Sequence, residues 1–271
     1  MDEMKIRGFT TPEDFSGTDS EKIQQAVNTA IEKDIRKVVI SGNYTLKETV
    51  ILPPYIHLVL TGAEITSNGD FPAFMNENIT KDKFYHCFSF EEDMFYLEGG
   101  KIKGDISFYN AYRVVIDNME IEGGLDFEFS NEVRLTNLKI EGKNGVIIKR
   151  GSNNFICDNV KITAENNGFT IDTADTKRDY VVGKSADIHD LIIKNSNIKA
   201  TCGFSLEAGE KTNLFNIVIE DNSVAGTLLE LSKREGELAP SHYRDITAVG
   251  FKPSDKNGIK LFSDTKHCLI G

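Results

Sequence analysis

Four short segments of this chain share one layout and carry charged side chains at matching offsets. In GGLDFEF (123–129), NGVIIKR (144–150), NGFTIDT (167–173) and CGFSLEA (202–208), apolar and polar residues alternate. Leu125 and Phe127, Val146 and Ile148, Phe169 and Ile171, and Phe204 and Leu206 would therefore share one side of a strand, with the polar residues on the other. Aligned, one polar column reads Glu128, Lys149, Asp172, Glu207 and Ser232, and the column beside it reads Asp126, Ile147, Thr170, Ser205 and Glu230. Stacked strands lie about 4.8 Å apart, so Asp172 and Glu207 would be direct neighbours with Lys149 one step away. Two adjacent carboxyl groups can act as an acid–base pair, and a nearby lysine would tune their ionisation. A solvated charge ladder on an exposed sheet would show the same columns.

Those columns exist only if the strands stack in register, and a second repeated phrase indicates how they do. It reads apolar, any, Asn/Asp/Gly, any two, apolar, and it occurs as LEGGKI, IDNMEI, LTNLKI, CDNVKI, IKNSNI and IEDNSV. Its third positions are Gly99, Asn118, Asn137, Asn159, Asn195 and Asp221. These residue types tolerate a left-handed bend, and stacked asparagines can bond to one another from coil to coil. A bend recurring once per coil with variable insertions is the signature of a solenoid. The expected fold is all-β: a single-stranded, right-handed parallel β-helix forming one domain over 1–271, with regular rungs from about 38 to 270. TDSEKIQQAVNTAIEK (18–33) supplies a capping-box start at Thr18 and Glu21 and apolar residues at helical spacing, so a helix over about 18–33 would cap the first rung. A β-sandwich with Asn-rich turns is the competing architecture, but it does not explain one phrase per coil.

DFSGTDSEKIQQAVNTAIEKDIRKVVISGNYTLKETVILPPYIHLVLTGAEI (14–65) and the rungs from Asn144 to Glu230 resemble the pectin-lyase-like superfamily. Within it they are most similar to glycoside hydrolase family 28, the polygalacturonases. The resemblance implies a pectin-like or other polysaccharide or oligosaccharide as partner, bound or hydrolysed without a cofactor or metal. That family places its chemistry on an Asn-x-Asp, an Asp-Asp pair, a Gly-His-Gly and an Arg-x-Lys. Here those motifs align with GKNG, which puts Asn144 at the Asp position, with Asn166 and Asn167, with TCG, which puts Thr201 at the His position, and with ELS beginning at Glu230. An amide keeps its hydrogen bonds but exchanges no proton near neutral pH. The resemblance therefore implies substrate-binding roles for Asn144, Asn166, Asn167, Thr201 and Glu230, while the charge columns on the same face add Lys149 beside them and Asp172 and Glu207 as a displaced catalytic pair. A following loop, ADTKRDYVVGKSAD, offers Asp175, Lys177, Arg178 and Lys184 to close over a sugar. The alternative is a non-catalytic structural or adhesion module, a rigid rod of the kind that trimerises.

Composition narrows the field further. The net charge is −11 with Lys and Arg scattered, which disfavours nucleic acid and, away from any local basic patch, anionic polysaccharides as well. Apolar runs such as IHLVL (56–60) are strand-sized, so no membrane span is expected. The start, MDEMKIRGF, lacks the apolar core of a secretion signal, so the chain as given reads as cytoplasmic, or secreted if a signal has been removed. Four cysteines without a CxxC pair and five dispersed histidines suggest neither redox work nor a metal site, and His189 reads as structural. An aromatic cluster from Phe84 to Tyr112 should be mostly core, with one or two rings free to stack on a sugar. No sequence feature specifies an oligomer.

Overall fold

Thr18 starts the longest helix among the described residues, Asp19–Glu32, by accepting a bond from the Glu21 N–H (3.3 Å), while the Glu21 carboxylate accepts from the Thr18 N–H (2.7 Å). Ile23, Ala26, Val27 and Ala30 are fully buried, and they lay one face of the helix over the end of the strand stack. The Ser20 hydroxyl accepts from Lys47 N–H (2.8 Å) and the Gln24 carbonyl from Ile51 N–H (2.7 Å), so helix side chains satisfy backbone groups of the first coil. The computed structural model describes residues 3–80, 91–173, 185–209, 212–233, 243–251, 259–261, 265–266 and 269–270.

The strands behind this cap form three faces. The first face runs through Lys37–Ile40, Ile56–Leu60, Glu92–Glu98, Ala111–Asp117, Asn131–Thr136, Asn153–Asp158, Ile188–Lys194, Leu214–Glu220 and Tyr243–Val249, each pairing in parallel with the next. The second face begins at Asn43–Leu46 and the third at Val50–Leu52. Both continue coil by coil until the long strands Asn197–Ala208 and Ser223–Lys233 run through both faces without a break. The architecture is a right-handed parallel β-helix with an N-terminal cap helix. Short helices at Glu3–Arg7 and Glu77–Thr80 and a 3-10 turn at Pro12–Asp14 are additions that the sequence pattern does not announce.

Burial follows the alternation of the strands. Leu125, Val146, Phe169 and Phe204 are register partners with no exposed surface, as are Phe127, Ile148, Ile171 and Leu206. Phe169 stacks on Phe204 with ring centroids 5.4 Å apart, and Phe108 on Phe127 at 5.6 Å. Of the aromatic cluster, Phe95 and Phe108 are core. Tyr109 packs edge-on against Phe129 in a separate small cluster, and Tyr96 and Tyr112 are only half-buried. Phe84, Tyr85, Phe88 and Phe90 lie outside the described residues. Cys157 and Cys202 are buried thiols, and burial pushes the Cys157 thiol up.

Two columns of left-handed residues turn the chain. Gly99, Asn118, Asn137, Asn159, Asn195 and Asp221 all have positive φ, as the repeated phrase requires. Asn159 donates from its amide to the Asn137 side-chain oxygen (2.8 Å), and Asn137 donates to Asp117 (3.0 Å), so the bend is bonded from coil to coil. The corner into the third face is narrower. A Cβ on Gly168 would come within 2.4 Å of Ile198 and 2.7 Å of the Gly203 carbonyl, and one on Gly145 within 2.3 Å of the Gly168 carbonyl. Gly168→Ala should therefore cost about 1–3 kcal/mol of stability by overpacking, read as a lower urea midpoint at unchanged m-value.

Candidate functional site

Strand pairing places both polar columns of the third face as their spacing suggested. Lys149, Asp172, Glu207 and Ser232 are successive register partners, and so are Asp126, Ile147, Thr170, Ser205 and Glu230. The two carboxyl groups sit in unequal surroundings: Asp172 is 7% exposed, whereas Glu207 is half-buried. They stand near the corner where the third face turns into the first. There the Tyr243 hydroxyl donates to the Leu206 carbonyl (2.9 Å) and accepts from the Ala208 N–H (2.9 Å). Burial, above all, pushes the Tyr243 phenol up. The Ala208 bond opposes this, and the charges of Glu207 and Asp172 reinforce it, so all three side chains share one field. Thr173 and Thr212 share a 2.6 Å hydroxyl bond, and Thr173 accepts from the Gly209 N–H (2.8 Å), which closes the same corner.

Lys149 is the register partner of Asp172, but its bond goes to the coil before. Its ammonium bonds Asp126 at 2.5 Å, one coil toward the N-terminus, because an outward lysine reaches diagonally to the acid in the adjacent column as easily as to its register partner. The amide positions gather elsewhere. Asn166 donates to the Asn144 side-chain oxygen (3.2 Å), Asn167 to the Thr170 hydroxyl (3.1 Å), and the Thr201 hydroxyl to the Glu165 carbonyl (2.7 Å). This amide cluster lies at the start of the third-face strands and the carboxyl pair at their end, separated along Asn167–Asp172 by roughly 16 Å. Glu230 falls between, opposite Ser205. The predicted site is thus two clusters joined by a polar row. Asp175, Lys177, Arg178 and Lys184 lie outside the described residues.

A groove on the first face is the feature the sequence did not disclose. It measures about 1020 Å³ and is lined by Tyr55, His57, Met94, Tyr96, Arg113 and Arg134, among others. Its wall is the first part of a second left-handed column, Arg36, Tyr55, Met94, Arg113, Glu132 and Asn154, which continues beyond the groove through Asp190, Asn216 and Asp245, with φ from 53 to 67°. Within the strands such a residue is skipped by the pairing, as Arg113 and Glu132 are between Tyr112↔Asn131 and Val114↔Val133, while Arg36 and Tyr55 stand just before their strands. Only the Asn and Asp members carry a residue type that signals such a bend.

His189 is half-buried, stacks on Phe215 (4.7 Å) and bonds Asp190 through Nδ1 (2.7 Å), a structural position. Burial raises the Asp190 carboxyl, but its bonds to His189 and Asn216 outweigh that and hold it below the usual range. Among the described residues no three His, Cys, Asp or Glu side chains gather to hold a metal, and no helix is long and apolar enough to cross a membrane.

No protein-family model matches this sequence, and no curated protein matches it. Solved structures are similar in shape. The catalytic domain of a GH87 alpha-1,3-glucanase in complex with nigerose aligns over 92% of this chain at 11% identity and a TM-score of 0.49, and this chain spans 63% of that domain. The A-module of an Azotobacter vinelandii mannuronan C-5 epimerase aligns over 96% of this chain and 97% of its own at 10% identity and a TM-score of 0.47. The Streptococcus pneumoniae surface protein and adhesin PfbA aligns over 97% and 98% at 12% and 0.44. Likeness at this level transfers no residue role, substrate or activity.

Because the Lys149–Asp126 pair is partly exposed, Lys149→Met should change stability by at most about 1 kcal/mol, a difference that shrinks in high salt in urea titrations.

Proposed function

We propose that this chain is a carbohydrate-active β-helix protein, folded as one β-helical unit, that binds a polysaccharide along its third face and hydrolyses it with Asp172 and Glu207 as the acid–base pair. The observation that carries this reading is the direct register of Asp172 on Glu207 in unequal burial. Two like-charged carboxyl groups on neighbouring coils repel when both are ionised. A pair with one member more buried than the other divides into a proton donor and a proton acceptor. Asp172 would hold the proton that passes to the leaving glycosidic oxygen, and Glu207 would act on the opposite side of the bond, on water or on the sugar itself.

Binding rests on the rest of the face. Thr170, Ser205 and Glu230 repeat a hydrogen-bonding group once per coil, at about 4.8 Å, comparable to the length of one sugar unit in an extended chain. Asn144, Asn166, Asn167 and Thr201 extend that row at its far end, where they hold the places of the family 28 catalytic motifs and retain only their hydrogen bonding.

A reducing-end assay on acidic and neutral polysaccharides, run beside Asp172→Asn and Glu207→Gln, tests the reading. Turnover on at least one polysaccharide is expected, with either variant slower by roughly 100-fold or more at unchanged melting temperature. Turnover that survives both substitutions would reassign the catalysis. Binding without turnover in the unsubstituted protein would remove the catalytic half of the reading, and absence of both would favour a structural or adhesion module.

A further inference from the structure

Along the floor of the first-face groove, His57, Tyr96, Val115, Arg134 and Ile156 are successive register partners, each pointing away from the core. His57 and Tyr96 stack with ring centroids 4.4 Å apart and planes 6° from parallel. Both are held by Glu98, which lies 2.9 Å from His57 Nε2 and accepts from the Tyr96 hydroxyl at 2.9 Å. Rings stacked from coil to coil lie across the helix axis, so Tyr96 turns its other face toward the coil of Val115. Val115 is short and half-buried, and beyond it Arg134 stands exposed. The outcome is a notch, floored by an isopropyl group, with a fixed aromatic face on one side and a guanidinium on the other. Its width is two coil spacings, roughly 9–10 Å between backbones, enough to admit one ring in van der Waals contact with Tyr96.

The charges in and around this notch are unequal in their commitments. Arg36 is paired with Asp34 and Arg113 with Asp93. Of the acids nearby, Glu98 is held by the two stacked rings, Asp117 accepts from Thr136 (2.6 Å) and Asn137 (3.0 Å), and Glu132 accepts from the Tyr112 hydroxyl (2.6 Å). Arg134 forms no hydrogen bond or ion pair among the described residues, in a chain whose net charge is −11.

We propose that the notch over Val115 is a binding site for a carboxylate-bearing sugar of an acidic glycan, its ring against Tyr96 and its carboxylate on Arg134. A guanidinium pairs with a carboxylate through two parallel hydrogen bonds, which fixes the orientation of the sugar as well as its charge. An extended acidic peptide suits the site less well. The first-face strands around the notch, from Ile56–Leu60 to Asn153–Asp158, are hydrogen-bonded to a neighbour on both sides and offer no edge for strand addition, and the groove runs across them along the helix axis. The site shares no residue with the third face and stands or falls independently of Asp172 and Glu207.

Isothermal titration of the full chain with an oligoglucuronate, its carboxyl-reduced neutral form and an oligoglutamate decides it. The oligoglucuronate should bind, more weakly as salt rises, and at least 10-fold more tightly than the reduced form. Val115→Phe, which fills the notch, and Arg134→Gln, on an exposed side chain outside the core, should each weaken it by about 10-fold or more. No binding, equal binding of the neutral form, or binding that both variants retain would overturn the proposal. Binding lost in Asp172→Asn but kept in Val115→Phe would place the ligand on the third face, and oligoglutamate binding with the same sensitivity to both first-face variants would make the occupant a peptide; either result also overturns it.

Discussion

The parallel backbone ladder from coil to coil is the constraint on which the rest of the structure depends. One coil cannot bury its apolar side alone, and each is stable only against the coil before and after it. Because pairing is parallel and in register, a residue type placed at one position meets its counterpart about 4.8 Å away on the next coil. Every inward column must therefore tolerate self-stacking, as the phenylalanines do, and an outward column gains stability where it alternates charge or forms hydrogen bonds along itself. The cap helix matters for the same reason: Ser20 and Gln24 stand in for the coil that is missing at the start.

That constraint also determined what could be read before the structure. The inward columns and the Asn118–Asn137–Asn159 bend were legible because apolar alternation and an αL-tolerant residue recur at fixed offsets from each other, even where the interval between coils changes. Register in turn made the Asp172–Glu207 adjacency legible, since one correct alignment of strands fixes every pair along them. The second left-handed column was not legible. Arg113, Glu132, Met94 and Tyr55 adopt φ near 54–63° because the ladder on both sides holds them there, not because of any local preference. With that column hidden, the groove it walls was hidden too. The pairing of Lys149 with Asp126 was also out of reach, because strand alignment fixes Cβ positions and leaves a long side chain its choice of neighbour.

The same stacking rule gives a physical meaning to the asparagines at the start of the third face. Asn144 and Asn166 meet through a 3.2 Å hydrogen bond, which an amide pair can form because each side chain is both donor and acceptor. Two carboxylates in those places would face each other as like charges, a destabilising arrangement across neighbouring strands. Amides there stabilise the ladder and carry no proton-transfer chemistry. At the other end of the strand the column does the reverse: Lys149 to Asp172 sets opposite charges in register, and Asp172 to Glu207 sets like charges in register.

The two ends of the strand therefore differ in the tension they carry. The amide end is satisfied by its own bonds, whereas the carboxyl end places Asp172 and Glu207 together in a partly desolvated corner beside the buried Tyr243 hydroxyl. Proton-transfer groups are useful where an unfavourable charge arrangement can be relieved by exchanging a proton. The first-face notch carries a different tension, a guanidinium without a partner among the described residues of an acidic chain, which relaxes when an anion arrives and not when a proton moves. On the proposed reading the third face acts on a glycan and the first face holds one, and the two columns run along the same axis because both are built from the same coils.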